Sequence, residues 1–237
     1  MRAAFGLVLA AVMLAWPALA PATGGPVAHA SSSSPTRAPA SSAARPQGAD
    51  FRGEAASNDA RRVADWAVTV GDNHGLPFII VDKVQAKVFV FGPDGRLRGA
   101  STALLGRARG DDTVPGIGQR KLSEIRPEER TTPAGRFVAT LGRDLHKDIL
   151  WIDYDAAVSL HRVVAGDPGD HRLQRLVSAS PLDKRISYGC INVPVRFYED
   201  IVLKAFTGTR GIVYILPEVK TLNQVFAISG AAAANRQ

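Results

Sequence analysis

The order of apolar and polar residues divides this chain into zones. From Phe5 to Trp16 almost every residue is apolar. Residues 21–50 lose that pattern and are rich in Ala, Ser and Pro, as in Ser31-Ser32-Ser33-Ser34-Pro35. Such a stretch buries too little apolar surface to offset its ordering entropy. Over 54–74 the apolar residues return at helical spacing, with Val63, Trp66, Ala67 and Val70 on one face. Gly75 and Pro77 close that helix.

Beyond Pro77 the period shortens to that of strands. Phe78 to Val81 is a continuous apolar run, and Val84, Ala86, Val88 and Val90 alternate with polar neighbours. Gly92-Pro93-Asp94-Gly95 then signals a turn. Further strands are predicted at Leu97–Leu104, Arg136–Leu141, Ile149–Tyr154, Ala157–Val164 and Ile212–Leu216. A second helix is expected to open at Pro194, with Val195, Tyr198, Ile201, Val202 and Ala205 on one face. Many short strands and few helices predict a mainly β fold, a sandwich or barrel.

Composition narrows the class. With 237 residues, 46% of them hydrophobic, the chain holds one domain with a real core. The net charge of +7 favours an anionic partner. Nucleic acid is not expected, because Lys and Arg are scattered and no recognised binding motif occurs. Arg2, the apolar run and the small residues Ala18-Leu19-Ala20 or Ala28-His29-Ala30 read as a signal peptide over 1–30. The run is short for a bilayer span, which needs about 20 residues, so no stable membrane span is expected after cleavage. The expected order is then a tether over 31–53, a helix over 54–76, a catalytic domain over 77–217 and a tail over 218–237. The location that follows is the periplasm or cell envelope.

An exported chain with one cysteine cannot form an internal disulfide, so Cys190 is either a reactive thiol, an intermolecular partner or a buried bystander. Its neighbours favour reactivity. Gly189 permits close backbone approach, Ser187 and Asn192 add polar side chains, and the helix expected at Pro194 places positive dipole nearby. The N–H groups of Gly189 and Cys190 are candidate oxyanion donors. A thiolate enzyme also needs a base. His161 lies in a strand pattern whose face carries Ala157, Ser159 and Val163, whereas His171 lies in a polar loop. His146 reads as a solvated bystander. Asp111-Asp112 and Glu128-Glu129 read as solvated loop charges. No metal site is expected, because neither a Cys pair nor a His-Glu-x-x-His run occurs, and no cofactor is implied.

These residues resemble the catalytic domain of bacterial L,D-transpeptidases. The family's Ser-His-Gly-Cys motif, followed by an aliphatic residue and Arg or Asn, is matched by Ser187-Tyr188-Gly189-Cys190-Ile191-Asn192. Its Thr-Pro-x-Gly turn is matched by Thr132-Pro133-Ala134-Gly135, and its closing strand by Gly211-Ile212-Val213-Tyr214-Ile215. The resemblance spans roughly 77–217. Tyr188 departs from it by replacing a histidine. The family's base histidine sits at a strand end: His161 has the strand but lies far from Ser187, while His171 has the spacing but not the strand. The strand setting favours His161, with an insertion in the loop 165–185.

The resemblance implies a peptidoglycan stem peptide as substrate. It implies a Cys190 thioester and an amine acceptor that makes a cross-link or exchanges a D-amino acid. Ser187, Tyr188, Gly189 and Asn192 would line the oxyanion or substrate site. A cysteine hydrolase on the same fold, acting as carboxypeptidase or endopeptidase, is one alternative. An inactive wall-binding protein is the other.

Overall fold

The computed structural model describes residues 48–144 and 146–228. The signal peptide expected over 1–30, most of the tether and the Ala-rich end of the tail lie outside those residues. The fold is mainly β. Strands β1 (Phe78–Asp82), β2 (Lys87–Phe91), β3 (Leu97–Thr102), β4 (Leu105–Gly106) and β5 (Gly135–Asp144) come first. They are followed by β6 (Lys147–Asp153), β7 (Val158–Arg162), β8 (Arg185–Ser187), β9 (Ile191–Val193) and β10 (Arg210–Ile215). Eight strands form one sheet in the order β3-β2-β1-β10-β5-β6-β7-β9, and β4 pairs with β8. Just past β3, the Leu104 N–H and carbonyl bond to the Asn192 carbonyl and N–H of β9 at 2.8 and 2.9 Å. The two sheet edges therefore meet, and the sheet curls almost closed, which hides edges that would otherwise invite pairing.

Period-two alternation gives this sheet two apolar faces. Ile79, Val88, Ala139, Leu150, Leu160, Ile191 and Val213 point inward. There they meet Tyr198, Val202 and Phe206 from a helical segment made of α3 (Val195–Phe197), a π turn (Tyr198–Val202) and α4 (Leu203–Phe206). Phe78, Ile80, Phe89, Phe91, Ile212 and Tyr214 point outward and are covered from α1 (Asn58–Val70) by Ala60, Val63, Ala64 and Ala67. Ser57 caps α1 by accepting the Ala60 N–H, and Gly71 ends it in a left-handed conformation. No helix among the described residues is long and apolar enough to cross a membrane.

Three sequence expectations change. The alternation expected from Val84 does not begin there: residues 83–86 turn, with Gln85 N–H donating to Asp82 Oδ1, and Val84 is exposed. The segment after β10 is not wholly a tail. It forms α5 (Leu222–Phe226), and Leu222, Phe226 and Ile228 enter the outer core. Finally, Asp111 and Glu129 are buried rather than solvated. Asp111 accepts from Lys83 Nζ and from the N–H groups of Glu218, Val219 and Lys220, and Glu129 accepts from Arg120 and Arg126.

Candidate functional site

Strand pairing assembles the site. β7 and β9 run parallel, with Leu160 opposite Ile191 and His161 opposite Asn192. Leu160 and Ile191 point inward, so Ser159 and His161 of β7 share the outer face with Asn192 and with Cys190, which immediately precedes β9. Ser159 Oγ and the Ala157 carbonyl each lie 3.6 Å from Cys190 Sγ, and His161 stands diagonally across the two strands from Cys190. Both Cys190 and His161 are half-buried.

The ring of His161 is fixed from both ends. Asn192 approaches its Nε2 at 3.2 Å, and its Nδ1 lies 2.7 Å from the Arg162 carbonyl. Arg172 Nη1 donates to Asn192 Oδ1 at 3.2 Å. A guanidinium only donates, so that amide oxygen must face it, which turns the Asn192 NH2 toward His161. Nε2 is then an acceptor, and Nδ1–H donates to the Arg162 carbonyl.

Charge follows geometry. Burial pushes the Cys190 thiol up, but its contact with His161 and its bonds to Ser159 outweigh burial and hold it below the ordinary value. Burial likewise pushes His161 down, yet Cys190 and the Arg162 carbonyl leave it above its ordinary value. The helix-terminus effect expected from Pro194 does not operate, because β9 intervenes and α3 begins only at Val195.

The loop before Cys190 is held from below. Ser187 Oγ donates to the Cys190 carbonyl at 2.6 Å and accepts the Gly189 N–H at 3.1 Å. Gly189 has φ 136°, and a Cβ there would lie 2.9 Å from the Thr131 carbonyl oxygen, so only glycine fits without strain. Thr132, fully buried, donates its Oγ1 to the Gly189 carbonyl and accepts the Gly106 N–H, both at 2.8 Å. Tyr188 lies beneath the Arg130 guanidinium, 3.9 Å from ring centroid to Cζ.

His161 and Cys190 are thus brought together with Ser187, Gly189 and Asn192. His171 is not: it is exposed at the start of α2 (Arg172–Val177). The loop 165–185 folds as this short helix and 3₁₀ turns, which explains the long interval between His161 and Ser187. His146 is exposed between β5 and β6. Sequence reasoning missed Arg172 and Arg130, and it gave Thr132 no role. Only pairing across the sheet reveals them, although Thr132 already stood out in the Thr-Pro turn.

Comparison with known protein families finds no match, and neither does comparison with curated proteins. Solved structures do show likenesses. One is an L,D-transpeptidase from Xylanimonas cellulosilytica, with TM-score 0.37, 16% identity and 60% of each chain covered. Another is the catalytic domain of an L,D-transpeptidase from Enterococcus faecium, with TM-score 0.36, 18% identity, and 59% of this chain and 96% of that one covered. A third is a helical cell shape determining protein of Campylobacter jejuni, with TM-score 0.40, 14% identity, and 62% and 49% covered. The chain spans three-fifths of the first of these and about half of the third. Identities this low assign no activity to this chain.

Proposed function

We propose that this protein is a cysteine acyltransferase of the L,D-transpeptidase type, acting on peptidoglycan stem peptides in the cell envelope. The observation that supports it most is the placing of His161 beside Cys190 across the parallel strands β7 and β9, with the ring oriented by Asn192 and the Arg162 carbonyl. An inert cysteine needs no oriented base.

In this reading the Asn192 amide releases His161 Nε2, which takes the Cys190 proton, and the thiolate attacks the amide carbonyl of the third stem residue. Gly189 N–H is committed to Ser187, which leaves the Cys190 N–H as the oxyanion donor in this reading. The C–N bond breaks as His161 returns the proton to the leaving D-alanine amine, and a thioester remains on Cys190. An acceptor amine then attacks the thioester carbonyl and loses a proton to His161. The C–S bond breaks, and the thiolate is regenerated. The envelope location rests on the signal peptide expected over 1–30.

The test is incubation with defined tetrapeptide muropeptides, read by mass spectrometry. Cross-linked or D-amino-acid-exchanged products that vanish in Cys190→Ala are expected. Tripeptide alone would assign hydrolysis, and no thioester adduct with substrate or a carbapenem would favour the inactive wall-binding protein.

A further inference from the structure

Outside the catalytic cluster, the outer sheet face carries an aromatic pair that belongs to none of the hydrophobic cores among the described residues. Trp151 and Tyr154 stack with centroids 4.9 Å apart and planes 23° apart. Phe78 and Phe91 also stack, but both are fully buried in the core. Tyr154 is 65% exposed and Val138, on the same face, 51%. The pair is held in place before any ligand arrives. A Cβ on Gly142 would lie 2.6 Å from the indole, so Trp151 rests on bare β5 backbone. Asp153 Oδ1 accepts the N–H groups of Asp155 and Ala156, and Ala157 N–H closes the turn on the Tyr154 carbonyl.

The pair is also placed in line with the thiol. Thr140 pairs with Trp151, and Trp151 with Ser159, whose hydroxyl meets Cys190 Sγ. These side chains share one face, and Cys190 stands two strands away from Trp151, about 10 Å.

We propose that Trp151 and Tyr154 form a saccharide-binding platform for β-linked hexopyranose residues. An equatorially substituted pyranose presents flat faces of polarised C–H bonds, which suit the negative face of an aromatic ring. Preset rings lower the ordering cost of a weak ligand. This inference rests on the stem-peptide reading and deepens it: three extended residues also span about 10 Å. A sugar on the platform therefore sets the third carbonyl of its peptide branch at Cys190.

The experiment titrates the full chain with the β-1,4-linked tetramer of N-acetylglucosamine and follows indole N–H resonances. The Trp151 indole should shift. Tyr154→Ala should weaken binding about five- to tenfold, and Tyr154→Phe should retain it. An unmoved Trp151 resonance, or unchanged affinity in Tyr154→Ala, overturns the platform. Iodoacetamide alkylation of Cys190 in the unmutated protein reports the cysteine chemistry separately. A fast thiol without saccharide binding sinks the platform alone; saccharide binding beside an ordinary thiol upholds the platform and sinks the acyltransferase.

Discussion

A free cysteine thiol gives up its proton near pH 8.5, so a thiolate nucleophile needs a neighbour that favours the anion. In the proposed reaction His161 is that neighbour, and the shifts of Cys190 downward and His161 upward favour the charged pair. Alkylation of Cys190 should therefore persist below pH 8.5. In His161→Ala burial is opposed only by the Ser159 bonds, and the alkylation midpoint should move up. On the proposed reaction that variant should lose about 10²–10⁴-fold in turnover, while His171→Ala keeps both quantities near wild type. Activity lost in His171→Ala but kept in His161→Ala would assign the base wrongly here. Asn192 acts one step out: with Asn192→Ala the ring loses a hydrogen bond of about 1 kcal/mol. Turnover should then fall about five- to tenfold, with the thiol still alkylated.

At the scale of elements, the loop between β8 and β9 is what aims Cys190. It is tied to the chain before β5 by one side chain, Thr132, bonded to Gly189 and Gly106. Thr132→Val keeps the shape but strands two buried backbone groups, each costing about 1–3 kcal/mol. The thermal midpoint should drop by about 5–10 °C, and Cys190 alkylation should slow below the melting range. A melting curve unchanged from wild type would show that water replaces the hydroxyl at no cost.

For the whole molecule, the decisive contact is Asp111. Burial alone would raise its carboxyl, but N–H groups from Lys220, Glu218 and Val219 together with Lys83 bring it down to about 2. An unfolded aspartate titrates near 3.9. A depressed acid adds stability above its unfolded value and loses it as pH falls toward its folded one. Stability, followed by urea unfolding, should hold from pH 7 to about pH 5 and fall between about pH 4 and pH 2. Glu129, lowered to about 2 by Arg120 and Arg126, acts in the same window. Asp111→Asn leaves fully buried Lys83 short of its nearest carboxylate, which should cost about 3–5 kcal/mol at pH 7. A shallower loss would mean that Glu218, 3.8 Å from Lys83, takes over.

What the sequence determined alone is local. Apolar periodicity was enough for a helix, expected over 54–74 and found over 58–70, and for two strands, expected over 78–81 and 84–90 and found over 78–82 and 87–91, because burial on one face repeats at the period of the backbone. The Cys190 neighbourhood stood out because Gly189 and Ser187 flank it in the chain. The strands β8 and β9 escaped notice: each is three residues long, too short to show a period. Asp111 looked like a loop charge because burial of a carboxylate can depend on partners far along the chain, Lys220 being 109 positions away; Glu129 is buried by the nearby Arg120 and Arg126 through irregular turns that show no period. The strand setting favoured His161 over His171 as the base, but its place beside Cys190 comes from the parallel register of β7 against β9. Register belongs to two strands at once, and no single stretch of sequence contains it.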